Sequence, residues 1–131
     1  MTIREYSSES DESTVCAWWD DRHQQGLPVS LLPPVGIVVE DEDGPLCAVW
    51  LYLTIGKGVA FPEWAISRPG LPLKTAVQAF NFAQLALERI AKVHDYTHLM
   101  CTTLPSIARV LRNSGWQFDE RDKISGMKSL N

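Results

Sequence analysis

No run of about eighteen apolar residues occurs in the chain, so no segment is expected to cross a membrane as a helix. The opening MTIREYSSESDE has neither a cationic start nor an apolar stretch and is not expected to act as a secretory leader. Cysteine is scarce. Cys16, Cys47 and Cys101 form an odd, scattered set, which argues against a disulfide framework and against a zinc knuckle. No group of histidines, cysteines and carboxylates has ligand spacing, so no metal is expected. An arginine-rich stripe is also missing and the chain is acidic overall, which weighs against a nucleic-acid partner. Repeats, low-complexity tracts and linkers are absent, so residues 1–131 are expected to form one domain. A cytoplasmic protein with buried thiols is the expectation.

What is present begins with charge. The formal net charge of −4 is unevenly spread. Residues 1–43 hold ten of the sixteen acids and only two bases, Arg4 and Arg22. The remainder holds six acids and ten bases, a half that could face an anionic ligand.

Periodicity then divides the chain. TIREY alternates and reads as a first strand. SSESDEST offers helix-start chemistry, with Ser8 or Ser10 as cap and Asp11 and Glu12 at the positive end of the dipole. Val15, Trp18, Trp19 and Arg22 share helical spacing, so the tryptophans are read as core or groove wall. QQGLPVSLLPP is a loop. VGIVVED and PLCAVWLYLT flank the turn cluster DEDG and read as a hairpin. VAFPEWAIS is a third hairpin strand, in which Pro62 implies an edge position, a bulge or a break in pairing. LKTAVQAFNFAQLALERIAKV is an amphipathic helix with Leu73, Ala76, Val77, Phe80, Ala83, Leu87 and Ile90 on one stripe. THLMCTT reads as a strand and LPSIARVLRNSG as a helix with proline in its first turn and glycine at its end. WQFDE and KISGMKSL read as a final hairpin around RDK. The predicted fold is α+β: a mixed, mostly antiparallel twisted sheet of six to seven strands with helices on both faces. The strand–helix–strand unit of residues 59–103 is expected to be parallel.

The element order, the segment from EWAIS to KTAVQAF and the stretch LPSIARVLRNSGW together resemble the GNAT superfamily of acyl-CoA N-acyltransferases. Within it the likeness is to short phage-encoded members. The resemblance covers nearly the whole chain and implies that strands 59–67 and 97–103 are splayed. It further implies acetyl-CoA between them, with the pantetheine arm against Ala65, Ile66 and Ser67. The pyrophosphate loop would be Arg68 to Ala76, with Gly70, Leu71, Lys74 and Thr75 as contacts and Arg109 as added positive charge. Pro72 and Lys74 stand where the family's glycines usually lie, and proline has no N–H to donate.

Acetyl transfer to an amine needs a base for the amine's proton and a group to protonate or stabilise the leaving thiolate. The resemblance assigns the base to a carboxylate on the fourth strand, here Glu63. Beside Trp64 in an apolar run, Glu63 would have its pKa raised by desolvation. Leu111 occupies the position where the family carries its tyrosine acid, which leaves Tyr52 as the substitute donor, with Tyr96, Ser106 and Ser114 also in supply. Cys101 and His98 fall on opposite faces of a strand, so they do not form a nucleophile–base dyad. Asp20 and Asp21 could attract a cationic amine. Two main readings follow. One is an N-acyltransferase acting on a small molecule, a protein amine or a modified base. The other is a catalytically degenerate relative serving as a binding or virion-associated protein. The oligomeric state stays open, a homodimer among the options.

Overall fold

The computed structural model describes residues 1–119, 121 and 126–130. Its elements run β1 (Thr2–Glu5), α1 (Ser8–Arg22), a short 3-10 turn (Val29–Leu31), β2 (Val35–Asp41), β3 (Gly44–Leu53), β4 (Val59–Ser67), α2 (Leu73–Val93), β5 (His98–Leu99) and α3 (Pro105–Arg112). The strands lie side by side in chain order. β1 to β4 are antiparallel, and β5 returns parallel to β4 after the α2 crossover.

Strand periodicity of two sorts the core into two layers. Ile37, Val39, Cys47, Val49 and Leu51 face α2 and meet Ala79, Ala83, Leu87 and Ala91. Val38, Ala48, Trp50 and Ile66 face the other way and meet Val15 and Trp18 of α1. Helices therefore cover both faces of the sheet, as the patterning implies. Gly36 packs under Trp50, and a β-carbon there would lie 2.5 Å from the indole. The face that receives α1 thus depends on a residue without a side chain.

The predicted apolar stripe of α2 divides into two jobs. Its C-terminal part is core. Ala76, Val77 and Phe80 instead wall a cleft, and Leu73 is 80% exposed at its mouth. The cap of α1 also differs from the expectation. Neither Ser8 nor Ser10 caps the helix, since Ser7 holds the N-cap position, without a side-chain cap bond. The Asp11 carboxylate accepts from the Ser7 backbone N–H at 2.8 Å instead.

Asp11 is buried and also receives both terminal nitrogens of Arg4 at 2.8 Å. The Arg4 Nε donates to Glu40 at 2.9 Å, which ties β1, α1 and β2 together. The Arg4 guanidinium holds the Asp11 carboxyl below its ordinary value of 3.8. A depressed acid stabilises the fold above that value and loses this contribution as pH falls through its folded pKa. Asp11→Asn is expected to cost about 1.5–3 kcal/mol near neutral pH. In urea titrations the gap to the native protein should narrow as pH falls below 3.8 through the depressed folded value, where Asp11 becomes neutral. A gap of unchanged size in acid would contradict this role.

Among the described residues the sheet has five strands, not the predicted six to seven. Part of the expected final hairpin, Glu120 and 122–125, lies outside the described residues. Residues 116–119 and 126–130 form no strand. Trp116 and Phe118 stack on each other instead, with centroids 5.9 Å apart, and the Arg112 guanidinium lies over Phe118. The expected strand 97–103 is also short. It pairs only through Val59 with His98 and Ala60 with Leu99, and closes with the Met100 N–H on the Ala60 carbonyl. Leu104 is extended, as a residue before proline must be, and α3 begins directly after it.

Candidate active site

β4 continues for seven residues beyond Ala60 with no strand on its β5 side. Pro62, which lacks an N–H, sits on this unpaired stretch, where nothing asks it to donate. Two residues later the strand bulges. Trp50 lies opposite Glu63 and Ala48 opposite Ile66, so Trp64 and Ala65 together oppose Val49. Trp64 takes φ +60°, rare for a bulky residue. A bulge raises local twist and bends its strand, which turns β4 away from the chain leaving β5.

The opening between them is a cleft. One cavity of about 630 Å³ is bounded by Trp19, Glu63, Trp64, Cys101, Leu104 and Trp116, among others. A second of about 250 Å³ runs toward the start of α2, past Ser67, Leu73 and Ala76. Arg22, Ala65, Ile66, Phe80 and Ile107 belong to both walls, so the two form one groove along the free edge of β4. The volume of the larger part suits a small ligand.

Glu63 is half-buried in this groove, and burial pushes its carboxyl above the ordinary value of 4.5. Burial, with the neighbouring Glu63 charge, pushes the Cys101 thiol up to about 11. Cys101 is therefore a neutral thiol at physiological pH, which suits a wall better than a nucleophile. His98 does not line this groove; its Nδ1 lies 2.9 Å from the Thr97 hydroxyl.

Of the residues singled out by sequence, the structure brings Glu63, Ala65, Ile66 and Ser67 together along the groove. Gly70, Leu71, Lys74, Thr75 and Arg109 line neither cavity. Gly70 takes φ +77° in the turn before α2. Leu71 packs on the α2-side core. Lys74 and Arg109 are exposed, and Thr75 is half-buried on the first turn of α2. That turn starts from Pro72, and no side chain caps it. Tyr52 also lies outside the groove. Its hydroxyl donates to the Leu31 carbonyl and accepts the Trp64 indole N–H at 2.8 Å. Leu111 lines the groove with an apolar side chain.

Arg22 was not singled out as a site residue. It is the one lysine or arginine in either wall of the groove among the described residues. Its guanidinium donates to the Ser67 hydroxyl at 3.0 Å and to the Arg68 carbonyl at 3.5 Å. The available signal was a charged residue on the same helical stripe as Val15, Trp18 and Trp19.

No family model matches the sequence, and no curated protein is similar to it by sequence. The fold, however, has close counterparts among solved structures. Rv2747 from Mycobacterium tuberculosis, solved in complex with CoA, superposes with a TM-score of 0.75 at 12% identity, over 95% of this chain and 76% of that one. A Trypanosoma brucei acetyltransferase matches with a TM-score of 0.66 at 11% identity, over 96% of this chain and 99% of its own. A third, a probable acetyltransferase, matches with a TM-score of 0.68 at 10% identity, over 100% and 99% of the two chains. The chain has the GNAT acyltransferase fold. In terms of the GNAT fold, the groove lies where the fourth and fifth strands part, along the edge that the sequence resemblance assigns to the acyl donor. No helix among the described residues is long and apolar enough to cross a membrane.

Proposed function

We propose that the protein is a cytoplasmic, single-domain N-acyltransferase that moves an acetyl group from acetyl-CoA to a primary amine. The observation that carries this reading is the free edge of β4, parted from β5 after Ala60 and ending in a groove that contains Glu63. The walls fit such a donor. A free strand edge offers backbone groups to an amide-bearing arm, and Arg22 supplies the one cation for phosphate. Lys74, Thr75 and Arg109 sit too far out to line the groove and are left the outer, solvent-side part of a long ligand.

In this reading Glu63 takes one proton from the incoming ammonium, directly or through water. The neutral nitrogen forms a C–N bond with the acetyl carbonyl as the C–S bond breaks. The nitrogen's second proton passes to the departing thiolate, because Leu111 has none to give and the Tyr52 hydroxyl is engaged. A thiolate is a tolerable leaving group, so the step proceeds without a dedicated acid. A homodimer is compatible with this scheme.

A second reading has observations of its own. Pro72 heads α2 without an N–H, and Leu111 is buried and apolar. Both suit a degenerate relative that binds without turning over, as a phage virion-associated protein would. A thermal-shift titration separates the two. At 100 times its dissociation constant, acetyl-CoA should stabilise the protein by about 2.7 kcal/mol. Arg22→Glu is expected to weaken that binding by about 1.5–3 kcal/mol, a loss of roughly ten- to a hundredfold. No stabilisation of the native protein at millimolar acetyl-CoA would remove the acyltransferase reading.

A further inference from the structure

We infer that the acceptor is a small primary monoamine carried on a planar, apolar body, seated against the wall formed by Trp19 and Trp64. This rests on the acyl-transfer reading above and narrows its acceptor. Trp19 comes from the end of α1 and Trp64 from the bulge in β4, and both line the same cavity as Glu63. Their ring centroids are 5.7 Å apart at 58°, so they touch and form one continuous aromatic surface.

Each indole has a single polar atom, and each is already used. The Trp19 Nε1 donates to the Gln25 carbonyl at 3.1 Å. The Trp64 Nε1 donates to the Tyr52 hydroxyl, which is itself tied to Leu31. Neither ring therefore has a hydrogen bond left to offer, and only π surface and apolar edge remain for the cavity. These bonds also fix the rings in place. His23 stacks on Trp19, 4.0 Å away at 25°, and lines the same cavity beside it. Trp64 keeps a left-handed backbone angle, φ +60°, a kind of strain that clusters at functional positions. Across the cavity, Leu104, Ile107 and Leu111 add apolar surface.

Charge narrows the class further. Glu63 is the one carboxylate lining the groove and Arg22 the one lysine or arginine, among the described residues. One half-buried carboxylate matches one ammonium. A polyamine or a lysine-rich peptide would leave extra positive charges unpaired and facing Arg22, which is costly in a partly desolvated cleft. A flat apolar body meets the tryptophan surface at no such cost and gains the stacking geometry that aromatic pairs prefer.

The test needs no turnover. Isothermal titration calorimetry follows binding of 2-phenylethylamine and, separately, of spermidine at matched ionic strength. Phenylethylamine is expected to saturate with about tenfold higher affinity than spermidine, the size of one good aromatic contact. Trp19→Leu and Trp64→Leu keep an apolar wall but remove its π surface, and each should erase most of that difference. Retained acetyl-CoA affinity in both variants shows that their folds and donor sites are intact; Trp64→Met, which also lacks a π face, stands in if Trp64→Leu loses it. Equal or tighter spermidine binding, or no saturation by phenylethylamine, overturns the inference. If the native protein still binds acetyl-CoA in that case, acyl transfer stands and only the acceptor class falls. Failure of acetyl-CoA binding itself would instead remove the underlying reading.

Discussion

Glu63→Gln is expected to lower kcat for acetyl transfer by about 10²–10⁴-fold, the usual contribution of a positioned base. The amide keeps the shape of the carboxylate and loses only its ability to take a proton. The affinity for acetyl-CoA should stay within about twofold, because no step of donor binding is assigned to this residue. The pH profile gives a second check. Burial holds the Glu63 carboxyl above 4.5, so the base becomes active as pH rises through that raised value. The acidic limb of kcat/KM should therefore disappear in the variant. Stability points the other way. An acid with a raised folded pKa loses part of its stabilisation once pH exceeds that pKa. At neutral pH the substitution should thus be neutral or stabilising, which separates a loss of chemistry from a loss of fold. Unchanged turnover would take Glu63 out of the mechanism.

Ala65→Trp should abolish donor binding without unfolding the protein. Ala65 is exposed, lies on the free edge of β4, and belongs to the walls of both cavities. A large side chain there fills the groove from within, while the buried faces of the sheet are left alone. The stabilisation of about 2.7 kcal/mol expected at 100 times the dissociation constant should fall to near zero. Melting of the unliganded variant should stay close to that of the native protein, since Ala65 is exposed and the added ring enters the open groove rather than the core. Native-like binding by this variant would mean that the donor lies elsewhere.

Much of the fold was legible because local patterns agree with one another. VGIVVED and PLCAVWLYLT are apolar runs on either side of DEDG, and they form the predicted hairpin. The strand VAFPEWAIS and the helix from Leu73 to Val93 appear with the predicted bounds. Glu63 was assigned by the resemblance to the family's fourth-strand carboxylate, and it lines the groove. The bulge was harder to localise. Pro62 marked β4 as irregular, but nothing in the residue types shows that Trp64, two positions on, would take the positive φ. The length of β5 was also hidden, because THLMCTT has the composition of a strand whether or not a partner edge follows it. Where its neighbour turns away, the pattern has nothing to pair with. Arg22 shows the limit for the site. Helical spacing places it on the stripe with Trp18 and Trp19, but its contact with Ser67, forty-five residues away, follows only from the packing of α1 across β4.

The central claim is that the gap between β4 and β5 accepts an acyl-CoA. Isothermal titration of the native protein with acetyl-CoA tests it most directly. A single saturable site per chain is the expected result, with heat lost in Ala65→Trp. Flat titrations at millimolar ligand, or equal heat from the two proteins, would contradict it.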